Sequence, residues 1–166
     1  MRKIQPFLWF NDNAEEAVNF YVSVFKNAKL GSILRVPEGG PGKPGSVLTA
    51  TFTIGDIEFV ALNGGPVYSF THAVSFVIPC ESQAEIDEFW EKLTADGGEE
   101  VQCGWLKDKF GLSWQVTPAN MSELMAGKDA EGGKRAMQAM MQMKKLDIEA
   151  LQRAFAGEGE PVTAEF

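Results

Sequence analysis

The chain has 166 residues, of which 45% are hydrophobic and 23% charged, and its 15 Lys and Arg against 23 Asp and Glu give a formal net charge of -8. This composition predicts a globular protein with its own core, and the acidic balance argues against a nucleic-acid-binding protein. No stretch approaches the ~20 consecutive apolar residues of a membrane-spanning helix, and the N-terminus lacks the apolar run of a signal peptide. Two cysteines make no disulfide framework, so we expect a cytoplasmic protein.

His72 is the only histidine in the chain, and that excludes several kinds of site. A two-histidine-one-carboxylate iron site, a three-histidine zinc site and an HExxH helix all need more imidazoles than one chain supplies. Any Ser-His or Cys-His nucleophile would have to use His72. Most common hydrolytic and oxidative chemistries are therefore disfavoured.

The first part of the chain predicts one strand, one helix and three further strands. The helix follows Asn13, where Asp12 and Glu15 have the spacing of a capping box and apolar residues then recur at helical intervals. The Gly- and Pro-rich segment Pro37–Gly45 is predicted to be a loop. The predicted strands are Ile4–Phe10, Leu30–Val36, Val47–Ile54 and Ile57–Leu62.

The same order of elements returns in the second part of the chain. Ser82 and Glu85 form a second capping box, which opens a helix that Asp96-Gly97-Gly98 ends. Such a duplication indicates two modules whose sheets bury a shared face. The predicted strands are Ala73–Ile78, Glu99–Cys103, Trp105–Lys107 and Leu112–Thr117.

Beyond Pro118 the pattern becomes helical, with predicted helices Asn120–Ala126, Ala130–Lys144 and Asp147–Ala156. We therefore predict a single domain over residues 1–166. Its parts are a first module (1–66), a second module (67–118), a helical extension (119–156) and a flexible acidic tail (157–166).

Several stretches resemble those of a known family: Pro6–Ala17 followed by Phe20-Tyr21, Ala61–Pro66, Cys103–Trp105, Asp108–Gln115 and Lys144–Ile148. With the repeated order of elements, they resemble the PhnB-like branch of the vicinal oxygen chelate superfamily, often labelled the 3-demethylubiquinone-9 3-methyltransferase domain. The superfamily includes glyoxalase I, bleomycin-resistance proteins and extradiol dioxygenases. The resemblance implies an α+β fold in which two tandem βαβββ modules form a curved mixed sheet around a pocket. The helical extension predicted above follows them. It also implies a homodimer that binds a small-molecule ligand.

In metal-dependent relatives the ligands come from the first and last strands of each module. The resemblance places these positions, in order, near Gln5, near Ala61 or Asn63, near His72 or Ala73, and at Gln115, where glutamate is usual. Neutral amides are weak ligands beside carboxylates and imidazole. We therefore predict no cofactor and no strong metal site, and any divalent metal would use His72, Gln5 and Gln115.

The methyltransferase label has no support in the sequence. The Gly-rich segment Glu38–Gly45 lies between two predicted strands, and the turn Asn63–Pro66 precedes no helix. Neither can place a phosphate or cofactor on a helix N-terminus.

Seven residues are candidates to line the pocket. Tryptophans on its strands would stack on a flat or apolar ligand, or they would simply fill the core. An amide inside an apolar strand has to be hydrogen-bonded or face a wet cavity. The single histidine could be a base, a ligand or a solvated strand-edge residue, and a thiol near the pocket could equally be a small buried hydrophobe. The candidates are Gln5, Trp9, His72, Cys103, Trp105, Trp114 and Gln115.

Three functions remain open. The first is a protein that binds a small apolar or aromatic molecule without a strong metal site, as bleomycin-resistance relatives do. The second is a glyoxalase- or dioxygenase-like enzyme with a weak metal site that involves His72 and Gln115. The third is a dimeric interaction protein whose pocket is vestigial.

Overall fold

The computed structural model describes residues 4–40 and 42–158, which divide into two compact units, one ending at Phe70 and the other beginning at Thr71. Each unit contains a four-stranded sheet and a helix in the order βαβββ, and the second unit continues into three more helices. The α+β class, the two modules and the helical extension are therefore confirmed. The single domain, the exact boundaries and the curvature around a pocket stay predictions, and the predicted tail lies outside the described residues from position 159 onward.

The first unit consists of β1 (Phe7–Phe10), α1 (Ala14–Val24), β2 (Ala28–Arg35), β3 (Val47–Ile54) and β4 (Ile57–Asn63). Its strand order is β1-β4-β3-β2, with β1 parallel to β4 and the other pairs antiparallel. One apolar stripe of α1 is buried, and on it Tyr21 stacks on Phe52 with ring centroids 5.5 Å apart. Strand β1 begins at Phe7 rather than at the predicted Ile4, because Pro6 has no N–H to donate to the sheet. The Pro6 carbonyl still accepts from Val60 N at 3.0 Å.

Helix α1 begins differently from the predicted capping box. Its N-cap is Asn13, which makes no side-chain capping hydrogen bond. Asn63, at the end of β4, supplies the acceptor instead: its Oδ1 accepts from Ala14 N at 2.8 Å while its Nδ2 donates to Val47 O at 3.0 Å. An acceptor from a distant strand has thus replaced the local one.

The second unit opens with β5 (Ser75–Cys80), α2 (Gln83–Thr94), β6 (Glu99–Glu100), β7 (Trp105–Lys107) and β8 (Ser113–Pro118). The order is β5-β8-β7-β6, with β5 parallel to β8. The predicted cap of α2 is confirmed, since Ser82 Oγ accepts from Glu85 N at 3.3 Å, although the Glu85 carboxylate accepts from Glu81 N. The strand predicted over Glu99–Cys103 is only two residues long, and Cys103 and Gly104 beyond it adopt left-handed φ values of 61° and 80°.

The helical extension consists of α3 (Met121–Ala126), α4 (Ala130–Met141) and α5 (Ile148–Ala156). One buried cluster of the extension consists of Leu124, Ala139, Leu146 and Leu151, with Met and Phe side chains packed around them. Helix α4 ends before the predicted Lys144, because the carbonyls of Met143 and Lys144 turn to accept from the backbone N–H groups of Cys103 and Gly104, both at 2.7 Å. None of the helices in the described ranges is long and apolar enough to cross a bilayer.

Candidate functional site

The two faces of the second sheet differ in character. Helix α2 packs on one face, where the apolar side chains of the strands are buried. Because side chains alternate along a strand, the other face carries a different set. We call it the Gln115 face, and its members are Ser75, Val77, Trp105, Lys107, Ser113 and Gln115.

Two hydrogen-bonded pairs lie side by side on the Gln115 face. Gln115 Nε2 donates to Ser75 Oγ at 2.8 Å. Ser113 Oγ and His72 Nδ1 are 3.1 Å apart, and His72 precedes the start of β5 in the chain. Ser75 and Ser113 are register partners, so the two pairs are neighbours across the β5–β8 ladder. The sequence predicts both Gln115 and His72 as candidates, but not the serines that hold them.

Several hydrogen-bonding groups of this face have no partner in the described part of the chain. Within the described residues, the Oε1 and second amide hydrogen of Gln115, the Nε2 of His72 and the indole N–H of Trp105 make no hydrogen bond. Trp105 is partly exposed, and the imidazole of His72 meets it edge-on with ring centroids 6.4 Å apart. This face therefore combines free donors, free acceptors and an aromatic surface.

Trp114 lies on the other side of the sheet from Trp105. It is only 3% exposed, and its Nε1 donates to Asp108 Oδ2 at 2.9 Å. Asp108 is itself 2% exposed, and its other oxygen accepts from the backbone N–H groups of Phe110 and Leu112 at 2.9 and 3.1 Å. The stretch Asp108–Leu112 is thus a turn built around one buried carboxylate. Sequence reasoning missed this role of Asp108, although an Asp three residues before a turn glycine is a known Asx-turn signal.

Both cysteines are free thiols. Cys103 is partly exposed and belongs to the left-handed turn before β7. Cys80 is buried, and burial, with a smaller contribution from Glu85, raises the pKa of its thiol to about 12. Cys80 is therefore a neutral thiol at physiological pH, as expected of a structural residue.

In the first unit, Trp9 lies on the sheet face opposite α1. Its Nε1 donates to Gly65 O at 2.9 Å, and Tyr68 meets its ring edge-on at 5.0 Å. Gly64 lies flat against the indole, since a Cβ there would come within 2.3 Å of the ring. The turn after β4 therefore packs against an aromatic side chain. Gln5 is exposed, and its amide donates to the Glu58 carboxylate.

The positions that the resemblance assigns to metal ligands do not provide a strong donor set. Ala61 has no donor atom, and both polar atoms of the Asn63 amide are already bonded to the backbone. Among the described residues, no group of three or more His, Cys, Asp or Glu side chains is placed to hold a metal ion. Gln5, His72 and Gln115 do not fit a tight divalent site, because amides are weak ligands.

Residues 2–117 match the sequence model of the family described as 3-demethylubiquinone-9 3-methyltransferase. A PhnB protein from Bacillus cereus is 42% identical, with a TM-score of 0.65 over 71% of this chain and 100% of that chain. The protein PA1353 from Pseudomonas aeruginosa is 22% identical, with a TM-score of 0.57 over 71% and 98% of the two chains. The fosfomycin resistance protein FosX from Listeria monocytogenes, in complex with Mn(II) and sulfate, is 16% identical at a TM-score of 0.48, over 74% and 93% of the two chains. The comparison with curated proteins found no match.

Proposed function

The chain belongs to the 3-demethylubiquinone-9 3-methyltransferase family, the PhnB-like branch of the vicinal oxygen chelate superfamily, and from this premise we propose that it binds a small aromatic or apolar molecule without a strong metal site. The observation that carries the proposal is the Gln115 face, where a partly exposed Trp105 lies beside an amide with unused hydrogen-bonding groups. Ligand sites characteristically combine aromatic surface with a few placed polar groups.

The family description finds no counterpart in the site. In the described part of the chain, the glycine-rich stretches join β2 to β3 and follow β4, and neither leads into a helix. A helix N-terminus after such a turn is what binds the anionic groups of a nucleotide-like cofactor. Nothing in the described residues therefore supports methyl transfer.

We also propose that the protein acts as a homodimer in the cytoplasm. Several large apolar side chains of both units are exposed, among them Phe7 at 59%, Leu34 at 57% and Val77 at 56%. Pairing with a second copy of the chain would cover some of these side chains. Two free thiols agree with a reducing compartment.

The proposal is tested by calorimetric titration of the purified protein with a panel of small aromatic compounds. We expect saturable binding of at least one compound, weakened about 2- to 10-fold in Trp105→Phe because part of the ring contact is lost. Trp90→Phe is the matched control, since Trp90 is buried under the other face and its Nε1 donates to Glu100 at 2.8 Å. Equal effects of both substitutions would contradict the assignment of the site. Absence of binding by a stable dimer would favour an interaction protein with a vestigial pocket.

A weak divalent-metal site is the second candidate function, and one observation favours it. Ser113 holds His72 through Nδ1, and Ser75 holds Gln115 through Nε2. The atoms left free are Nε2 and Oε1, which are the ones that coordinate metals, and a hydrogen bond to the other ring nitrogen is how proteins orient a histidine ligand. Under this candidate, titration with nickel or zinc should give binding that His72→Ala abolishes. Identical traces for both proteins would exclude His72 as a ligand.

A further inference from the structure

We infer that the ligand of the Gln115 face is a neutral planar lactam, a ring that carries an N–H next to a C=O. The inference rests on the proposed small-molecule function and narrows it to one chemical class. It follows from the pairing of Trp105 with Gln115, from the hydrogen bond that fixes the Gln115 amide, and from the charges of the face.

Trp105 and Gln115 are direct register partners in the antiparallel pair of β7 and β8. Side chains at directly opposed positions have Cβ atoms roughly 4.5–5.5 Å apart and project from the same face. The indole and the amide therefore stand side by side. A flat ring that stacks on the indole can therefore reach the amide with one edge.

The Gln115 amide presents a matched donor and acceptor. Ser75 Oγ accepts one amide hydrogen at 2.8 Å and so fixes the orientation of the group. The remaining N–H and the carbonyl Oε1 have no partner within the described residues. A glutamine amide forms two hydrogen bonds with a lactam edge through Oε1 and the N–H on the same side of the amide. The inference therefore requires that Ser75 accepts the other amide hydrogen. A carboxylate would accept from the free N–H, but its second oxygen would be repelled by the carbonyl Oε1. An aromatic hydrocarbon would leave both groups without a hydrogen bond.

The charges near the amide favour a neutral ligand. Lys107 shares the face, but its ammonium is 2.6 Å from the Glu99 carboxylate, its register partner on β6. That pair offers no uncompensated charge to an ionic ligand. The imidazole of His72 adds a further polar group beside Trp105.

The test compares two probes of nearly equal shape, 2-quinolinone and N-methyl-2-quinolinone, by calorimetry on the full-length protein. The methyl group blocks the lactam N–H and leaves the ring system intact. We expect the unmethylated probe to bind roughly tenfold more tightly, since it makes one more hydrogen bond and avoids a clash with Oε1. Gln115→Met, which keeps the length of the side chain, should reduce that preference to less than about twofold. The exposed Gln102, changed to Met, is the control and should preserve the preference.

The outcomes separate the inference from the proposed function. If both quinolinones bind equally to the unaltered protein, the lactam inference is wrong while aromatic binding stands. If neither quinolinone binds but other aromatic compounds do, the lactam inference is again wrong and aromatic binding stands. If no aromatic compound binds at all, both the proposed aromatic binding and the lactam inference are wrong. The comparison in the unaltered protein decides the question, so it does not depend on how well Gln115→Met folds.

Discussion

Replacing Asp108 with alanine should lower the free energy of unfolding by at least about 3 kcal/mol, because three N–H groups lose their acceptor and each unpaired buried donor costs about 1–3 kcal/mol. The carboxylate is 2% exposed and accepts from Phe110 N, Leu112 N and the indole N–H of Trp114. The Trp114 side of this turn is buried, since Trp114 is 3% exposed. Loss of the carboxylate should therefore loosen both the turn and the core face of β8.

Urea unfolding of the variant measures this effect. Asp108→Asn keeps one carbonyl oxygen, so we expect it to lie between the original protein and Asp108→Ala. The matched control is Asp147→Ala, whose carboxylate caps α5 at an exposed position by accepting from Ala150 N at 2.8 Å. Loss of such a cap costs typically about 1 kcal/mol. If Asp108→Ala were no more destabilising than Asp147→Ala, the buried carboxylate would not be the anchor of the turn.

Local signals predicted most of the fold. Val47–Ile54 and Trp105–Lys107 are strands at the predicted bounds, and Ser82 caps α2 as its spacing indicates. These features depend on residues close in sequence. The predicted cap of α1 was wrong because Asn63, a long-range acceptor from β4, displaced the local one.

The candidate site was less predictable, because it depends on register. That Trp105 lies opposite Gln115 is a property of the β7–β8 pairing, which no local pattern fixes. One feature of the site could be predicted from the sequence. Trp114 and Gln115 are consecutive in one strand, so alternation alone predicts that they lie on opposite faces of the sheet. The same alternation, with a buried indole, assigns Trp114 to the core.

Replacing Leu146 with alanine should destabilise the protein by about 2–5 kcal/mol, the usual cost of truncating a fully buried leucine. Leu146 is 0% exposed and belongs to the buried cluster of the helical extension with Leu124 and Leu151. It also lies against Gly104, where a Cβ would come within 2.9 Å of Leu146 Cδ1. Met137→Ala is the control, because Met137 is 45% exposed and surface substitutions usually change stability by less than about 0.5 kcal/mol.

Leu146→Ala also tests whether the helical extension positions Trp105 on the Gln115 face. The helical extension lies beyond residues 2–117, the part that matches the family. In the linker between α4 and α5, the carbonyls of Met143 and Lys144 accept from the backbone N–H groups of Cys103 and Gly104. These are the two left-handed residues directly before Trp105. A looser linker should therefore free those two amides and let Trp105 move. Hydrogen exchange should show faster exchange at Cys103 and Gly104 in Leu146→Ala than in Met137→Ala, together with weaker aromatic binding. Unchanged protection at both amides would mean that the turn holds its left-handed geometry without the extension, and that Trp105 is positioned by the sheet alone.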